Sequence, residues 1–265
     1  MEPLAIGQPA PLAGRVALVT GVSRRAGIGF AIATRLAQLG ADLCVQSWVP
    51  YDAASPWGAD PDGIESILAD LRAHGRRVVH VSADFADPAA PERVAAAAFA
   101  ALGSVDILVV NHAVSQMGTL EELTAEQIDL HLHVNVRAAL LLVQAWAARH
   151  DDARPGGRVI LMTSGQHRNP MPGELAYVAS KGALHQLTRS LAAHLAPRGI
   201  TVNAVNPGAT DTGYADPALY AAVLAQEPMG RWGQPDDAAR LIAWLATDDA
   251  RWITGEVINS TGGGP

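Results

Sequence analysis

Short apolar segments rich in β-branched residues alternate with longer amphipathic segments from residue 15 onward. The apolar segments have the length of buried strands, and the longer segments have the spacing of helices. Strands are therefore expected at 15–20, 43–47, 77–82, 106–111, 158–163, 200–206 and 256–259. Helices are expected at about 27–39, 63–74, 91–102, 124–150, 175–195 and 235–246. This alternation predicts an α/β fold in which helices cover both faces of a parallel sheet.

Two segments interrupt the alternation without a helical or strand period. Residues 48–62 are rich in Pro, Asp and aromatic residues, and residues 208–234 follow the sixth expected strand. Open α/β sheets bind ligands at the carboxyl ends of their strands, and connections of this length are usually functional. We therefore interpret 48–62 as an insertion loop and 208–234 as a substrate loop. Because no repeat, linker or composition break divides the chain, we expect one domain over 1–265, with an N-terminal arm over 1–13.

The composition narrows the classes of protein that the chain can represent. With 49% hydrophobic and 17% charged residues it has the composition of a folded protein, and its net charge of −7 argues against a nucleic-acid partner. No segment has the roughly 18–20 apolar residues that cross a bilayer, and the first residues lack the features of a secretory signal. The single cysteine, Cys44, excludes an intrachain disulfide framework. We therefore expect a cytoplasmic protein without a membrane partner.

A glycine-rich turn follows the first expected strand and opens the first expected helix. Within residues 20–29, Gly21, Gly27 and Gly29 allow a tight turn and a close backbone approach to a phosphate. The start of a helix adds free N–H groups and the positive end of its dipole. Incidental glycines in an ordinary turn are the alternative, but the position directly after a strand favours a dinucleotide site.

The end of the second expected strand bears on the choice of dinucleotide. NAD-binding folds usually place an acid there, on the ribose 2′-hydroxyl, whereas residues 45–48 read Val-Gln-Ser-Trp. The glycine turn carries Arg24 and Arg25, and a guanidinium suits a 2′-phosphate. We therefore favour NADP(H). Asp52 lies just past this strand, so NAD(H) stays open as the alternative.

A tyrosine and the only lysine of the chain lie four residues apart. Tyr177 and Lys181 share one face of the helix expected at 175–195, and every basic residue other than Lys181 among the 19 is arginine. An ammonium beside a phenol favours the phenolate and lowers the tyrosine pKa from about 10. Such a tyrosine can exchange a proton with a substrate oxygen. A surface pair that only stabilises the helix is the alternative.

Several motifs together resemble those of the short-chain dehydrogenase/reductase family. They are Gly21 with Gly27-Ile28-Gly29, Asn111-His112-Ala113, Asn135, Ser164, Tyr177 with Lys181, and Asn206-Pro207-Gly208. The resemblance covers about residues 12–262, and Ser164 precedes Tyr177 by 13 residues, a usual spacing in the family. Within the family the chain looks most similar to the 3-oxoacyl-carrier-protein reductases and related ketoreductases, whose C-terminal signatures resemble residues 230–235 and 252–255.

The resemblance implies a single doubly wound Rossmann domain with a seven-stranded, mostly parallel sheet in the order 3-2-1-4-5-6-7. It implies an enzyme that transfers hydride between NADP(H) and a carbonyl or secondary alcohol of a small molecule, including one bound to an acyl carrier. In the family the helices corresponding to 124–150 and 175–195 pack across a dimer interface, and the last strand helps to build a tetramer. A homodimer or homotetramer is therefore expected, and a metal ion is not.

The resemblance also assigns roles to individual residues. Tyr177 would be the general acid in reduction, and Lys181 would hold the nicotinamide ribose. Ser164 would polarise the carbonyl, and Asn135 would hold a water that relays protons. The cofactor would contact Gly21, Ser23, Arg24, Arg25, Gly27, Ile28, Gly29, Ser47, Asp84, Phe85, Asn111, His112, Ala113, Tyr177, Lys181, Pro207, Gly208, Thr210 and Thr212. The candidate substrate-pocket residues are Gln166, His167, Met171, Tyr214 and Met229.

Three features depart from the family pattern. Five residues separate Gly21 from Gly27 where the family usually has three, His112 replaces the second residue of the usual Asn-Asn-Ala-Gly, and 48–62 is an insertion. His112 is either a packed histidine or a cofactor contact, and the insertion is expected to fold over the adenosine end.

A lengthened glycine turn is also similar to that of enoyl-carrier-protein reductases, which separate the catalytic tyrosine and lysine by six residues. Because Glu174 stands at that position here, a double-bond reductase is not expected. Two further hypotheses stay open. One is an NAD-dependent alcohol or sugar dehydrogenase of the same fold, and the second is a cofactor-binding scaffold without catalysis.

Overall fold

Seven parallel strands form one sheet in the computed structural model, which describes residues 10–264. The strands are β1 (Val16–Thr20), β2 (Asp42–Ser47), β3 (Val78–Ser82), β4 (Ile107–Val110), β5 (Arg158–Met162), β6 (Thr201–Asn206) and β7 (Val257–Asn259). Their order across the sheet is β3-β2-β1-β4-β5-β6-β7. The predicted order is confirmed, and within the described residues every pair of neighbouring strands is parallel.

Helices cover the sheet on both faces because successive strand residues point to opposite sides. The α-helices of the described residues are α1 (Ile28–Gln38), α2 (Val49–Ala54), α3 (Gly63–Arg72), α4 (Ala90–Leu102), α5 (Ala125–His131), α6 (Ala138–Ala147), α7 (Leu175–Leu195), α8 (Pro217–Leu224) and α9 (Pro235–Leu245). In β1, Val16 and Leu18 pack with α4, α6 and α7, whereas Ala17 and Val19 pack with α1, α3 and α9. Among residues 10–264, no helix combines the length and apolar character that a membrane span requires.

Three stretches differ from the structure that the sequence pattern predicts. The insertion loop contains α2, and the substrate loop contains α8. Both helices span too few turns for a 3.6-residue period to be recognised, although Asp216 caps α8 by accepting a hydrogen bond from the Leu219 N–H at 2.8 Å. The long helix expected at 124–150 is interrupted by a π-helical segment, Leu132–Arg137, between α5 and α6. Such segments are frequent at functional sites.

The strand order brings four functional turns to one edge of the sheet. The direction of the chain across the sheet reverses between β1 and β4, which is where open α/β sheets bind ligands. The glycine turn follows β1, Asn111 follows β4, Ser164 closely follows β5 and Pro207 follows β6. We call this edge the catalytic edge.

Most of the expected N-terminal arm, residues 1–9, lies outside the described part of the chain. Of its remainder, Leu12 is buried, and its N–H donates to the Leu39 carbonyl oxygen at 2.8 Å. The end of the arm therefore packs beside the carboxyl end of α1.

Candidate active site

The glycine turn packs so closely against the end of β4 that two positions exclude a side chain. Gly21 has a φ of +73°, and a Cβ built there would lie 2.9 Å from Nδ2 of Asn111. A Cβ on Gly29 would collide with the carbonyl oxygen of Gly21. Nδ2 of Asn111 donates to the Thr20 carbonyl oxygen at 3.0 Å and so ties the turn to β4. These glycines are required by the packing of the turn itself.

Helix α1 begins without a side chain that satisfies its first N–H groups. Its N-cap is Gly27, no side chain caps the first turn, and that turn contains no acid. Such a helix start attracts an anion through its N–H groups and its dipole. The predicted phosphate contacts at Gly27, Ile28 and Gly29 lie here, so the residues present fit the diphosphate of a dinucleotide.

Arg25 is turned toward the carboxylates before and within α3. Its Nη1 lies 2.6 Å from Asp60 and 3.4 Å from Asp62, and its Nε lies 2.7 Å from Asp70. The hydrogen bond with Asp70 raises the pKa of Arg25 further. A 2′-phosphate would have to compete with these carboxylates for the guanidinium.

Asp52, the acid that could bind the ribose of NAD(H), already has partners within the protein. Asp52 is 6% exposed, and its carboxylate accepts hydrogen bonds from Ser23 Oγ at 2.5 Å and Trp57 Nε1 at 3.0 Å. Nε of Arg24 lies 3.1 Å from the same carboxylate. Both oxygens of Asp52 are thus engaged, and a ribose hydroxyl would have to displace one of these donors.

The remaining residues expected at the adenosine end differ in exposure. Ser47 is buried, and its Oγ lies 2.8 Å from Nε2 of His80. Phe85 is also buried, with its ring 4.1 Å from the His112 ring. Asp84 is partly exposed and accepts a hydrogen bond from the Ala86 N–H at 2.8 Å. Asp84 is therefore the one of these three that presents surface at this end.

His112 packs beneath the catalytic edge with both ring nitrogens engaged. Nδ1 lies 2.8 Å from Oγ1 of Thr20, and Nε2 lies 3.0 Å from the carbonyl oxygen of Val134. Because a carbonyl oxygen only accepts, Nε2 carries the proton and Nδ1 accepts from Thr20. Burial lowers the pKa of His112 to about 3, which keeps the ring neutral. The His112 ring thus joins β1 to the π-helical segment, and its predicted contact with the cofactor stays a prediction.

Tyr177, Lys181 and Ser164 come together where α7 packs against the end of β5. Nζ of Lys181 donates to the Met162 carbonyl oxygen at 2.8 Å and lies 5.6 Å from the centre of the Tyr177 ring. Ser164 lies two residues past the end of β5 and interacts with the Tyr177 hydroxyl. The three side chains predicted to act together are therefore neighbours in the fold.

Burial has the largest effect on the pKa values of Tyr177 and Lys181. It raises the pKa of Tyr177 well above its usual range, while the neighbouring Ser164 hydroxyl lowers the pKa and the Glu174 carboxylate raises it. Burial also lowers the pKa of Lys181 to about 8. In the protein alone the pKa of Tyr177 thus moves upward, contrary to the expectation that Lys181 lowers it, because desolvation disfavours both charged forms.

Asn135 lies in the π-helical segment, and both polar atoms of its side chain form hydrogen bonds within the protein. Oδ1 accepts from the Val114 N–H at 2.8 Å, and Nδ2 donates to the Val114 carbonyl oxygen and to Ser180 Oγ, each at 2.9 Å. Asn135 therefore joins the loop after β4 to α7. Its part in holding a water that relays protons stays a prediction.

The loop after β6 returns to the catalytic edge with a glycine in the left-handed region. Gly208 has a φ of +68°, and its N–H donates to Oδ1 of Asn206 at 3.0 Å. Oγ1 of the buried Thr210 donates to the Pro207 carbonyl oxygen at 3.3 Å. The Thr212 carbonyl oxygen accepts a hydrogen bond from Nη1 of Arg24 at 3.0 Å. The predicted nicotinamide-side residues thus form one ordered turn.

Gln166 carries a free acceptor near the end of β5. Its Nε2 donates to Oγ1 of Thr163 at 3.3 Å, whereas its Oε1 is buried without a hydrogen-bond partner among residues 10–264. A buried acceptor of this kind is costly unless a ligand or a water donates to it. Gln166 therefore suits its predicted place in the substrate pocket.

The remaining candidate pocket residues present mostly apolar and aromatic surface. Tyr214 is 43% exposed, with its ring 6.0 Å from the buried Trp232. His167 is exposed, Met171 is partly buried and Met229 is exposed. These side chains belong to the substrate loop and to the segment after β5.

Comparison with known proteins places this geometry in a family. A family model described as enoyl-(acyl carrier protein) reductase matches residues 21–264. The uncharacterized oxidoreductase YjdA of Bacillus subtilis is 41% identical over 250 residues, which are 94% of this chain and 96% of that protein. The chain belongs to the short-chain dehydrogenase/reductase family. It is an oxidoreductase.

Two further proteins resemble the chain along nearly all of its length. A protein of Arabidopsis thaliana named NADPH-dependent aldehyde reductase-like protein, chloroplastic, is 35% identical, with 96% of each chain covered. A short-chain dehydrogenase from Burkholderia cenocepacia, solved in complex with NADP, is 39% identical with a TM-score of 0.86, covering 96% of this chain and 98% of that one.

Two residues at the edge of this short-chain dehydrogenase/reductase site are not among those that the sequence motifs indicate. Oε2 of Glu174 accepts from Ser115 Oγ at 3.3 Å, and burial raises the pKa of this carboxyl. The Tyr51 hydroxyl accepts from the Ser115 N–H at 3.1 Å and donates to the Ser115 carbonyl oxygen at 3.3 Å. The position of Glu174 is a usable signal, because it is the N-cap of α7 and therefore lies next to the first helical turn, which contains Tyr177. No local pattern indicates Tyr51.

Proposed function

We propose that the chain is an NADP(H)-dependent ketoreductase that transfers hydride between nicotinamide and a carbonyl or secondary alcohol, similar to the 3-oxoacyl-carrier-protein reductases. The observation that carries the proposal is the meeting of Tyr177, Ser164 and Lys181 at the end of β5. A phenol and a hydroxyl placed together can donate to one carbonyl oxygen, which is the polarisation that hydride addition requires.

The chain's own residues have separable tasks in reduction. The bound cofactor supplies the hydride. Tyr177, kept protonated by burial, donates the proton to the substrate oxygen, and Ser164 donates a hydrogen bond as negative charge develops there. Lys181 holds a ribose hydroxyl and, when charged, eases the departure of the tyrosine proton. Asn135 keeps the loop after β4 in place against α7.

Several observations support NADP(H) over NAD(H). The strand end at 45–48 has no acid, and the carboxylate of Asp52 is occupied by Ser23, Trp57 and Arg24. The Burkholderia cenocepacia structure contains NADP, and the Arabidopsis thaliana relative is named for NADPH. Separate titrations of the enzyme with NADPH and NADH test this preference. Tighter binding of NADH would assign the chain to NAD-dependent dehydrogenases.

A carbon–carbon double bond is the second candidate target, because the matching family model is described as an enoyl reductase and the glycine turn is lengthened. The spacing of Tyr177 and Lys181 on one helix face favours the carbonyl. The deciding experiment follows NADPH consumption with ketones, including a 3-oxoacyl thioester, and with a 2-enoyl thioester. We expect turnover with carbonyl substrates and its loss in Tyr177→Phe, with an unchanged thermal midpoint as the folding control. Turnover of the enoyl thioester alone would reverse the assignment, and tight NADPH binding without turnover of any substrate would indicate a scaffold.

A homodimer or homotetramer is part of the proposal. An apolar groove of about 420 Å³ lies between α6 and α7, with Leu140, Leu141, Val143 and Leu191 in its lining. Exposed apolar surface of this kind often marks a contact between protein chains. Near β7, the Trp252 side chain is 95% exposed. Sedimentation velocity tests the assembly. If Trp252 lies in a tetramer interface, Trp252→Ser should convert a tetramer to a dimer. A monomer at micromolar concentration would contradict it.

A further inference from the structure

Two of the departures from the family pattern, the lengthened glycine turn and the insertion, are built onto each other. Asp52 of α2 accepts hydrogen bonds from Ser23 at 2.5 Å and from Trp57 at 3.0 Å, and pairs with Arg24 at 3.1 Å. The Trp57 ring centre lies 5.5 Å from Cζ of Arg24. We call Ser23, Arg24, Asp52 and Trp57 the Asp52 cluster. Each of these polar contacts joins the turn to the insertion or lies within the insertion.

The guanidinium of Arg24 also contacts a loop on the other side of the glycine turn. Its Nη1 donates to the Thr212 carbonyl oxygen at 3.0 Å, and Thr212 belongs to the loop after β6. In the sheet, β2 and β6 lie on opposite sides of β1. The guanidinium therefore bridges from the insertion after β2 to the loop after β6, across the turn after β1, where a dinucleotide diphosphate binds.

The guanidinium also keeps donors for an anion. Nε faces Asp52 and Nη1 faces Thr212, whereas Nη2 has no hydrogen-bond partner among residues 10–264. The Arg24 side chain is only 14% exposed, so its orientation is held from both sides. A planar guanidinium with unused N–H groups beside an uncapped helix start is suited to phosphate oxygens.

Resting on the proposed function, we propose that Arg24 binds the diphosphate bridge of the cofactor and that Asp52 is the residue that positions it there. The insertion would thus recognise what NADPH and NADH share, rather than the 2′-phosphate that distinguishes them. This assignment differs from the expectation that Arg24 meets the 2′-phosphate. It also gives the lengthened turn and the insertion one common purpose.

Binding titrations of the full-length enzyme with NADPH, NADH and 2′-AMP test the assignment, because 2′-AMP has the 2′-phosphate but no diphosphate. We expect Arg24→Gln to weaken NADPH and NADH by the same factor, roughly 10- to 100-fold, and to leave 2′-AMP binding unchanged. Arg72→Gln, which removes one positive charge from the surface of α3, is the matched control and should leave all three affinities unchanged.

The role of Asp52 is tested by coupling. Asp52→Asn should weaken both dinucleotides less than Arg24→Gln does, and the double variant should bind as weakly as Arg24→Gln alone. An additional loss in the double variant would show that Asp52 acts independently of Arg24. Because Arg24→Gln leaves a buried carboxylate without its cation, thermal midpoints accompany every titration. Arg24→Lys, which keeps the charge but loses the planar fork, gives an intermediate affinity for both dinucleotides under the proposal.

Two results would overturn the assignment. A loss confined to NADPH and 2′-AMP in Arg24→Gln would make Arg24 a reader of the 2′-phosphate. Unchanged affinity for all three ligands in Arg24→Gln and Arg24→Lys would make the Asp52 cluster a purely structural link. Failure of the wild-type enzyme to bind either dinucleotide would instead contradict the proposed function, so the two failures are distinguishable.

Discussion

The Lys181 ammonium reaches the Tyr177 ring while being held from behind by the backbone of β5. Nζ lies 5.6 Å from the Tyr177 ring centre and donates to the Met162 carbonyl oxygen at 2.8 Å. Lys181 is 2% exposed, so its position is set by packing as well as by this hydrogen bond. The amine is thus directed by a group that the sequence spacing of the pair does not reveal.

Lys181→Arg should lower kcat roughly 100-fold while the fold persists. A guanidinium is larger than an ammonium and carries its N–H groups in a rigid plane, so it cannot keep both the Met162 carbonyl contact and the place beside Tyr177. Steady-state kinetics with the best ketone substrate measure the loss, and circular dichroism reports the fold. Normal turnover by this variant would show that the site needs a positive charge but no compact amine.

The burial of Lys181 should make the stability of the enzyme rise with pH above 8. Its pKa is lowered to about 8 in the folded chain and is about 10.4 when unfolded. Between these values the unfolded chain holds a proton that the folded chain has released, so raising the pH favours folding. We expect a gain of about 2 kcal/mol between pH 8 and pH 10 relative to Lys181→Met.

Urea denaturation of both proteins across this range is the measurement, and the comparison with Lys181→Met cancels the titration of the other groups. Tyr177 does not interfere, because its raised pKa affects stability only above the unfolded value of about 10. Parallel stability curves for the two proteins would contradict the prediction.

Glu174→Gln should move the activity profile of alcohol oxidation to lower pH. The Glu174 carboxylate raises the pKa of Tyr177, and oxidation requires the phenolate as proton acceptor. Removing the charge, while keeping an acceptor for Ser115 Oγ, lets the phenolate form at lower pH. Initial rates against pH are the measurement. Glu121→Gln makes the same charge change at an exposed position and should not shift the profile. Equal profiles for the wild type, Glu174→Gln and Glu121→Gln would contradict the role of Glu174.

Gly29→Ala should destabilise the protein by roughly 1–3 kcal/mol, because its Cβ would collide with the Gly21 carbonyl oxygen and lie 2.8 Å from Nδ2 of Asn111. Gly182→Ala on α7 is the matched control, since its Cβ would meet nothing within 4 Å. That change should be neutral or should stabilise by about 0.5–1 kcal/mol. Chemical denaturation compares the two, and an equally stable Gly29→Ala would show that the turn relaxes freely.

Much of the fold and part of the site could be predicted from local sequence. Strand-length apolar segments alternating with helical periods are short-range features, and they indicate the parallel sheet directly. The spacing of Tyr177 and Lys181 is likewise local, since four residues make slightly more than one helical turn. The two short helices α2 and α8 could not be predicted, because they span too few turns to show a period.

The tertiary structure alone decided which partners the charged side chains take. Asp52 of α2 meets Ser23 of the glycine turn, 29 residues earlier in the chain, and Arg24 meets a carbonyl 188 residues further along the chain. The rise in the Tyr177 pKa likewise depends on how completely α7 and the surrounding loops exclude water. Periodicity and motif spacing report on neighbours within a few residues, so they determined the elements and the catalytic pair. Desolvation and contacts between distant loops exist only once the chain is packed, and they decided the ionisation of that pair and the direction of Arg24.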